Sequence, residues 1–536
     1  QWDAFGYYQY LPATFIYHDL KTWKWADDID RKYNVTGGGG LPVVPLDNGN
    51  KVCKYFGGVA ILQLPFFAMG HCIAGLAHYP QDGFSAPYQY SLAFGAILYS
   101  LLALVLLMLV LRRFFSDVVT AITLVLLTLA SNFLQYSAVH SGLSHVWIFP
   151  LYALILYTTM KWHEAPKAGW ALLTGLAIGI ATICRPTEAI AIFIPIFWNY
   201  QSKEARNAKW QMVRAHQSHV VLALIGGLIG ILPQLLYWKY VTGSFVFDVG
   251  SKWTFLNPWF RVLFGFEKGW FIYTPVCVFF VLGFFFIRRY PFRLAVLAFC
   301  LLNIWIVISW DDWHYGASYS CRALVQSYPV FALPLAAFVQ WTVSKKWFIA
   351  FLVLGAYLVG VNLFQVVQYN STILHYDDNN ALYYRHIYLN PSPSPLTMSL
   401  LDTQDWLSDE NEFKKVLVDS QFTSFHFEIR SGDSLILKRG GLLDFQNKSL
   451  KWMKVAIQLS NPTSLWKGRL VATLGKNDSI VTHSIRLFNP IGERNGQYAF
   501  YLKIPDFFRS GTYQVFIKSS SEAKGTLGKV EIFGFY

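Results

Sequence analysis

The sequence has few charged residues: only 14% of its 536 residues are Asp, Glu, Lys or Arg, whereas 54% are hydrophobic. Soluble domains carry about 25% charged residues, so the composition excludes an ordinary soluble globule. The net charge is +13, but so few charges in so apolar a chain argue against a nucleic-acid partner. The composition predicts an integral membrane protein embedded in a lipid bilayer.

Patterns typical of several enzyme classes are also absent. The chain contains no glycine-rich phosphate loop, no zinc-binding pattern and no nucleophile elbow. Its six cysteines all lie at or before Cys321, so no disulfide can staple the C-terminal region. Cys53 and Cys72 are expected on the same side of the membrane and can pair in an oxidising compartment, although their spacing alone does not decide this.

The charges that are present divide the chain into two parts. Of the 75 charged residues, 32 lie between Asp402 and Glu531, and the part before residue 397 is far more apolar. In the tail, apolar residues alternate with period two between turn signals such as Arg494-Asn495-Gly496, which predicts an antiparallel β-sandwich. We predict a first outer loop with interfacial helices (1–90), a transmembrane domain (91–370), a linker (371–396) and an extracytoplasmic β-sandwich (397–536).

Apolar runs predict a polytopic α-helical membrane protein with about ten spans, since a span needs about 20 residues. The connections alternate between a set with 13 Lys and Arg residues and a set with 6, and the positive-inside rule places the richer set in the cytoplasm. Both termini are then outside, and because the sequence begins at Gln1 without a signal-like segment, a further first span is expected before it. The spans are placed at 91–111, 118–138, 144–160, 168–184, 186–200, 219–238, 271–287, 292–309, 322–341 and 347–366.

The run 57–79 is long enough to span but would invert every later loop. We therefore expect it to be interfacial or re-entrant, broken by Gly57, Gly58 and Pro65. With this topology most carboxylates of the membrane part lie on the outer face. Ionisable groups at the membrane edge are costly and usually functional, so the chemistry is expected on that face.

Asp3 is the first candidate on the outer face. It lies in QWDAFGYYQYLPA, where Tyr7 and Tyr8 belong to an aromatic run that can bind a substrate. A carboxylate that is partly desolvated by aromatic rings is a plausible general base. The alternative is that Asp3 caps the N-terminus of a helix.

A second cluster is Trp310-Asp311-Asp312-Trp313-His314, followed by Arg322. Asp312 and His314 can hold a divalent cation or position a hydroxyl group. Arg322 is suited to bind a phosphate through bidentate hydrogen bonds. The alternative for Arg322 is an ion pair with an Asp that closes a helix end.

Further candidates lie in the other outer connections. Each candidate also has a purely structural alternative. Lys252, Glu267 and Lys268 can be solvated loop charges, Arg185 and Glu188 can neutralise each other, and His145 can be a hydrogen-bonded residue at a helix end. The candidates are Lys252, Glu267 and Lys268 in the loop 239–270, Arg185 and Glu188 in CRPTE, and His145 in SGLSHVW.

These groups suit one reaction class. Cations stabilise a departing phosphate, a base deprotonates an acceptor hydroxyl, and an aromatic cavity beside the bilayer can hold a lipid-phosphate sugar. A lipid-linked sugar transporter or flippase is one alternative, although it would favour ionisable groups near the midplane and internal repeats, which we do not find in the sequence. A non-catalytic scaffold or assembly subunit remains an alternative.

Several segments resemble the GT-C glycosyltransferases, polytopic enzymes that use polyprenyl-phosphate-linked sugars. The resemblance is closest to bacterial protein O-mannosyltransferases and lipid A aminoarabinose transferases. It rests on DAFGYYQYLPA, KYFGGVAILQLPFF, DGFSAPYQY, GWFIYTPV, WDDWHYGASYSCRALVQSYPVFALPLA and NLFQVVQYNSTILHYDD, in that order along residues 1–390.

The resemblance implies an inverting glycosyltransferase in the bacterial inner membrane. It makes Asp3 the catalytic base and Arg322 a ligand of the donor phosphate. We expect Lys252 or Lys268 to hold that phosphate together with Arg322. The acceptor would be a protein, a lipid or another glycan. No residue is assigned to a metal, and a divalent cation stays open because only some members of this class use one. The C-terminal region has no comparable resemblance.

Overall fold

A computed structural model describes residues 2–422, 424–442, 449–463 and 467–536. The chain divides into two compact units, Gln1–Leu363 and Phe364–Tyr536. The first is helical apart from one two-stranded antiparallel sheet, and the second contains the remaining strands. The predicted order, an apolar helical region followed by a C-terminal β region, is confirmed.

The helices that begin in the first unit are mostly long and apolar. Segments of 3-10 helix about two turns long precede two of them, at Pro186–Ile192 and Arg322–Ser327. The helices are α1 (Trp2–Tyr8), α2 (Tyr10–Phe15), α3 (Ala26–Tyr33), α4 (Gly58–Leu76), α5 (Ala86–Arg112), α6 (Asp117–Leu129), α7 (Ser144–Glu164), α8 (Ala168–Cys184), α9 (Phe193–Phe197), α10 (Lys203–Ala215), α11 (Gln217–Thr242), α12 (Arg261–Phe264), α13 (Trp270–Tyr273), α14 (Cys277–Leu282), α15 (Arg293–Ser309), α16 (Tyr328–Val343) and α17 (Phe348–Asn370). Strands β1 (Val43–Pro45) and β2 (Lys51–Cys53) form the small sheet.

Among the described residues, five helical segments are long and apolar enough to cross a membrane. They are α4, α5, α11, the segment Arg322–Val343 and α17. Shorter apolar helices include α6, α8 and α15. The chain therefore contains transmembrane helices, although fewer long ones than the ten predicted runs.

Three predicted segments differ from the observed helices. Pro65 does not break the run 57–79, because α4 continues through it as a 19-residue helix. In an apolar helix, neighbouring groups can satisfy the carbonyl that a proline leaves without a donor. The predicted spans 271–287 and 118–138 are both interrupted: Thr274-Pro275 separates α13 from α14, and α6 ends at Leu129 before a π-helical segment, Gln135–Val139.

Small residues let α8 and α11 pack with their backbones almost in contact. A Cβ atom added to Gly175 would lie 1.8 Å from the carbonyl oxygen of Ala223, and one added to Gly179 would lie 2.3 Å from that of Gly227. Such close approach is typical of helix pairs in membranes. Gly58 likewise brings the start of α4 against the end of α8, since its Cβ would lie 2.5 Å from the nitrogen of Cys184. These contacts fix the end of α8.

The second unit is built around two antiparallel sheets. One has the strand order β5-β10-β7-β8 and the other β3-β11-β6-β9, with β4 also paired to β11. Its helices are α18 (Ala381–Ile387), α19 (Pro395–Ser399) and α20 (Pro490–Asn495), and its strands are β3 (Lys415–Gln421), β4 (Phe425–Ile429), β5 (Ser434–Gly441), β6 (Trp452–Thr463), β7 (Gly468–Lys476), β8 (Ser479–Arg486), β9 (Gln497–Lys503), β10 (Thr512–Ser519) and β11 (Ala523–Phe535).

One buried apolar cluster draws side chains from both sheets of the second unit. Alternate residues of β10, namely Tyr513, Val515 and Ile517, join residues of β6 and β9 in this cluster. The period-two pattern read in the sequence thus corresponds to strands with one buried face. The six cysteines of the chain are free thiols, so Cys53 and Cys72 are not bonded to each other.

Candidate active site

A cavity of about 430 Å³ lies in the first unit. Three basic side chains and three carboxylates line it: Lys54, Arg185, Arg322, Asp3, Glu188 and Asp312. Aromatic rings form much of the remaining wall, and they include Trp2, Tyr7, Tyr55, Trp253, Trp310 and Tyr315. The cavity therefore combines both signs of charge with an apolar aromatic wall, as ligand sites commonly do.

Asp3 lies in the first turn of α1 and accepts hydrogen bonds from two distant residues. Tyr55 donates its hydroxyl to Oδ1 at 2.5 Å, and Arg322 donates from Nη2 to Oδ2 at 2.6 Å. The Asp3 side chain is 25% exposed and that of Arg322 only 8%. Both carboxylate oxygens thus have tertiary partners, which differs from the local interaction that a helix cap would make.

The surroundings of Asp3 keep it ionised. Burial alone raises the pKa of a carboxyl group, but the charge of Arg322 and the hydrogen bonds from Tyr55 and Arg322 outweigh it and hold the pKa of Asp3 below its usual value. Asp3 is therefore a carboxylate at neutral pH. In that form it can accept a proton.

The turn before Arg322 is fixed by buried polar residues. The hydroxyl of Tyr136 accepts from the amide of Tyr319 and donates to its carbonyl, both at 2.9 Å. Asn132 donates to the carbonyls of Tyr319 and Cys321 at 3.3 and 3.4 Å. Gly316 takes a positive φ of 61°, which favours glycine. Arg322 is thus presented by a rigid turn, and it pairs with Asp3 rather than with Asp311 or Asp312.

Arg185 follows the last residue of α8 and lines the cavity beside Glu188. The two residues do not form an ion pair. Glu188 accepts hydrogen bonds from Tyr152 at 2.5 Å and Gln326 at 3.1 Å. The guanidinium of Arg185 interacts electrostatically with both Tyr7 and Glu188. The predicted interaction between the charges of Arg185 and Glu188 is therefore present, although no direct ion pair joins them.

His145 is buried and reaches the cavity only through a neighbour. Its Nδ1 lies 2.7 Å from Oε1 of Gln326, and Gln326 lines the cavity. This is the geometry of a satisfied histidine at the start of α7.

The segment between α11 and α12 covers part of the cavity. It pairs with the end of α15: the amide of Thr254 donates to Ser309 at 2.7 Å, and Trp253 and Trp310 form a β-bridge. Ser251 and Trp253 line the cavity, whereas Lys252 between them is exposed and does not. An extended backbone sends successive side chains in opposite directions, which explains this alternation.

Four other predicted residues lie outside the cavity lining. Lys268 is buried and donates from Nζ to the carbonyls of His314, at 2.7 Å, and Gly316. His314 packs on the ring of Trp313, and Tyr8 donates to the carbonyl of Gly83. Glu267 lies against Gly265. Lys268 therefore supports the loop before Arg322 and is not placed to bind a ligand directly.

The residues described here do not form a recognisable site for a divalent cation. No group of three or more His, Cys, Asp or Glu side chains with suitable geometry is present among them. Both oxygens of Asp3 already accept hydrogen bonds, one of them from a cation.

Sequence reasoning missed Tyr55, Lys54 and Gln326. Lys54 and Tyr55 begin the segment KYFGG, which is one of the segments that carry the family resemblance. The contact of Tyr55 with Asp3 depends on tertiary packing and was not visible in the sequence. Gln326 lies four residues after Arg322 in the same 3-10 segment, and no recognisable motif marked it in the sequence.

The family comparison matches part of the first unit. Residues 86–238 match the model of the dolichyl-phosphate-mannose-protein mannosyltransferase family. No curated protein matches the chain.

Solved structures are similar at low identity. ArnT from Cupriavidus metallidurans in its apo state is 13% identical with a TM-score of 0.40, and the match covers 66% of this chain and 61% of that one. The same protein bound to undecaprenyl phosphate is 14% identical with a TM-score of 0.36, covering 60% and 66%. The Archaeoglobus fulgidus oligosaccharyltransferase is 14% identical with a TM-score of 0.33, covering 63% and 49%.

The chain thus spans about three-fifths of the length of the apo ArnT that it matches. The family match over residues 86–238 includes α5 to α8, Arg185 and Glu188. The predicted resemblance of this chain to the GT-C membrane glycosyltransferases is confirmed.

Proposed function

We propose that the chain is an inverting glycosyltransferase that moves a sugar from a polyprenyl-phosphate carrier to a hydroxyl acceptor. The observation that carries this proposal is the position of Asp3 in one cavity with Lys54, Arg185 and Arg322. A base and a set of cations are the two elements that such a transfer requires. The family match, whose description names a dolichyl-phosphate sugar, supports the choice of donor.

Asp3 is proposed to act as the general base. The acceptor hydroxyl gives its proton to the Asp3 carboxylate while its oxygen attacks the anomeric carbon of the sugar. The bond between that carbon and the phosphate oxygen breaks, and the polyprenyl phosphate leaves with the electron pair. Attack from the face opposite the leaving group inverts the anomeric centre.

The cations are proposed to bind the phosphate as it leaves. Arg185 lines the cavity without an ion pair, and Arg322 has a buried Nε that finds no acceptor in the described part of the chain. A guanidinium has five N–H donors, so Arg322 can hold Asp3 through Nη2 and a phosphate through others. Lys54 adds a third charge at the cavity wall.

The remaining lining residues are proposed to hold the sugar and the acceptor. Tyr7, Glu188 and Asp312 offer hydrogen-bonding groups, and Trp253 and Trp310 offer ring faces. We further propose that the cavity faces the outer side of a bacterial inner membrane and that the second unit is extracytoplasmic, because the basic loops are concentrated on the opposite side.

The test is transfer by the full chain in lipid nanodiscs. A panel of polyprenyl-phosphate sugars, beginning with dolichyl-phosphate mannose, is supplied, and released lipid phosphate is measured. Asp3→Asn is expected to abolish release while the folded fraction is unchanged. Asp27→Asn, which removes an exposed carboxylate in α3, is the matched control and is expected to keep the wild-type rate.

Asp3→Asn that folds and releases lipid phosphate at the wild-type rate contradicts the proposal. A wild-type chain that binds none of the donors and releases nothing favours the alternative function of a scaffold or assembly subunit.

A further inference from the structure

We propose that Tyr55 is the positioning residue of Asp3: its hydroxyl clamps one carboxylate oxygen so that the carboxylate keeps its orientation while Arg322 engages the donor phosphate. This inference rests on the proposed function. Its basis is the pair of hydrogen bonds on different oxygens of Asp3, from Tyr55 to Oδ1 and from Arg322 to Oδ2.

The ring of Tyr55 is held on several sides. A Cβ atom at Gly6 would lie 2.1 Å from this ring, so the ring packs directly on the backbone of α1. The ring of Tyr7 contacts it edge-on at 4.6 Å between centroids, and that of Trp2 at 5.7 Å. Such edge-to-face contacts favour one ring orientation. The hydroxyl of Tyr55 therefore has a defined position relative to Asp3, because Asp3 lies on α1 together with Gly6 and Tyr7.

The backbone around Tyr55 is fixed as well. The carbonyl of Tyr55 accepts a hydrogen bond from the hydroxyl of Tyr10 at 2.6 Å. The residues two positions before and two positions after Tyr55 are both hydrogen-bonded to α11. The amide of Cys53 donates to the hydroxyl of Tyr237 at 2.9 Å, and the amide of Gly57 donates to the side chain of Gln234 at 2.8 Å. Tyr55 thus links α1 to the rigid α8–α11 pair.

The two hydrogen bonds on Asp3 have different fates in the proposed reaction. A donor phosphate that binds the other N–H groups of Arg322 shares its charge with Asp3, which weakens the bond from Nη2 to Asp3. The hydrogen bond from Tyr55 is made by a neutral group and does not depend on that charge. Burial, followed by the charge of Asp3, raises the pKa of Tyr55, so its hydroxyl stays protonated. Of the two partners, Tyr55 is therefore the one whose hold on the carboxylate is least changed when the donor binds.

The test is the pH dependence of turnover in two variants with opposite effects. Tyr55→Phe keeps the ring on Gly6 but removes the donor, so Asp3 becomes more basic and the acidic limb of kcat shifts to higher pH by about one unit. We expect kcat to fall about 10-fold and KM for the donor to change less than about 2-fold. Replacement of Tyr55 by 2,3-difluorotyrosine, which makes the hydroxyl a stronger donor, is expected to shift that limb to lower pH.

Tyr33→Phe is the matched control. Tyr33 also donates to a carboxylate, Oδ2 of Asp82 at 2.7 Å, in the same region but outside the cavity. It is expected to leave the pH profile unchanged. A purely structural role for Tyr55 would lower the folded fraction without moving the acidic limb.

The outcomes separate this inference from the proposed function. Asp3→Asn with full activity refutes the proposed function. Inactive Asp3→Asn together with an unmoved acidic limb in both Tyr55 variants overturns the positioning role alone. The difluorotyrosine variant keeps the test decisive even where Tyr55→Phe does not fold, since it retains every heavy atom of the native side chain.

Discussion

Arg185 and Glu188 lie three residues apart and line the same cavity, yet they do not form an ion pair. Tyr152, Gln326 and Thr187 donate hydrogen bonds to Glu188 instead. A buried carboxylate that is served by neutral donors does not neutralise the adjacent guanidinium through a direct contact. Arg185 can therefore present its charge to an anionic ligand in the cavity.

Removal of this charge is expected to weaken donor binding. Arg185→Gln should raise KM for the polyprenyl-phosphate sugar about 10- to 100-fold, because a hydrogen bond to a charged group contributes about 1.5–3 kcal/mol. Initial rates against donor concentration measure the change. Lys24→Gln, at an exposed lysine outside the cavity, is the control. A KM within twofold of wild type for Arg185→Gln would show that the phosphate binds elsewhere.

Lys268 is expected to act on stability more than on binding. Its ammonium group donates to the carbonyls of His314 and Gly316, so Lys268→Gln leaves buried acceptors with weaker donors. We expect the free energy of unfolding to fall by about 1.5–3 kcal/mol, measured by thermal unfolding in detergent. Lys252→Gln, at an exposed lysine, should leave the transition temperature unchanged. An unaltered transition temperature for Lys268→Gln, with a raised donor KM, would restore the direct phosphate contact predicted from the sequence.

The sequence singled out several residues that line the cavity, but not the hydrogen bonds between them. Apolar runs located α5, α8, α11 and α17 to within a few residues, because a span is a local property of composition. Asp3 and Arg322 were singled out separately as a charge among aromatic residues and a charge at the start of an apolar run. Their pairing joins residues 319 positions apart, so it depends on the tertiary fold and not on any local pattern.

Predictions from local hydropathy also failed where tertiary polar contacts decide the end of a helix or the position of a side chain. The run 118–138 is apolar enough to form one helix, but α6 ends at Leu129. Asn132, three residues later, donates from its side chain to the carbonyls of Tyr319 and Cys321. Lys252 and Lys268 lie in the same predicted outer loop, yet Lys252 is exposed whereas Lys268 is buried and donates to the carbonyl of His314. Neither difference is visible in hydropathy.

The contact between α8 and α11 gives a matched pair of glycine substitutions. Gly175→Ala places a methyl group 1.8 Å from the carbonyl oxygen of Ala223, whereas at Gly169 nothing lies within 4 Å. We expect Gly175→Ala to lower the free energy of unfolding by about 1–3 kcal/mol through overpacking. Gly169→Ala should be neutral or slightly stabilising. Equal transition temperatures for the two variants would mean that the helices can separate at no cost.

The stability of the second unit is expected to depend on pH through His375. Desolvation, followed by the charge of Arg486, lowers the pKa of His375 from 6.5 to about 4. The unfolded chain therefore binds a proton near pH 6.5 that the folded chain does not accept until about pH 4. Stability is fully present above pH 6.5 and is lost as the pH falls toward 4.

Hydrogen exchange of β8 in the full chain at several pH values between 4.5 and 7 measures this effect. β8 contains Arg486, which contacts His375 at 2.9 Å and Asp402 at 3.0 Å. His375→Gln should flatten the pH dependence of protection, because the titrating group is gone, whereas His426→Gln at an exposed histidine of β4 should preserve it. The slope across pH decides the matter even when the absolute protection of the His375 variant is lower. A slope equal to that of the wild type would assign the pH dependence to the carboxylates around Arg486 instead.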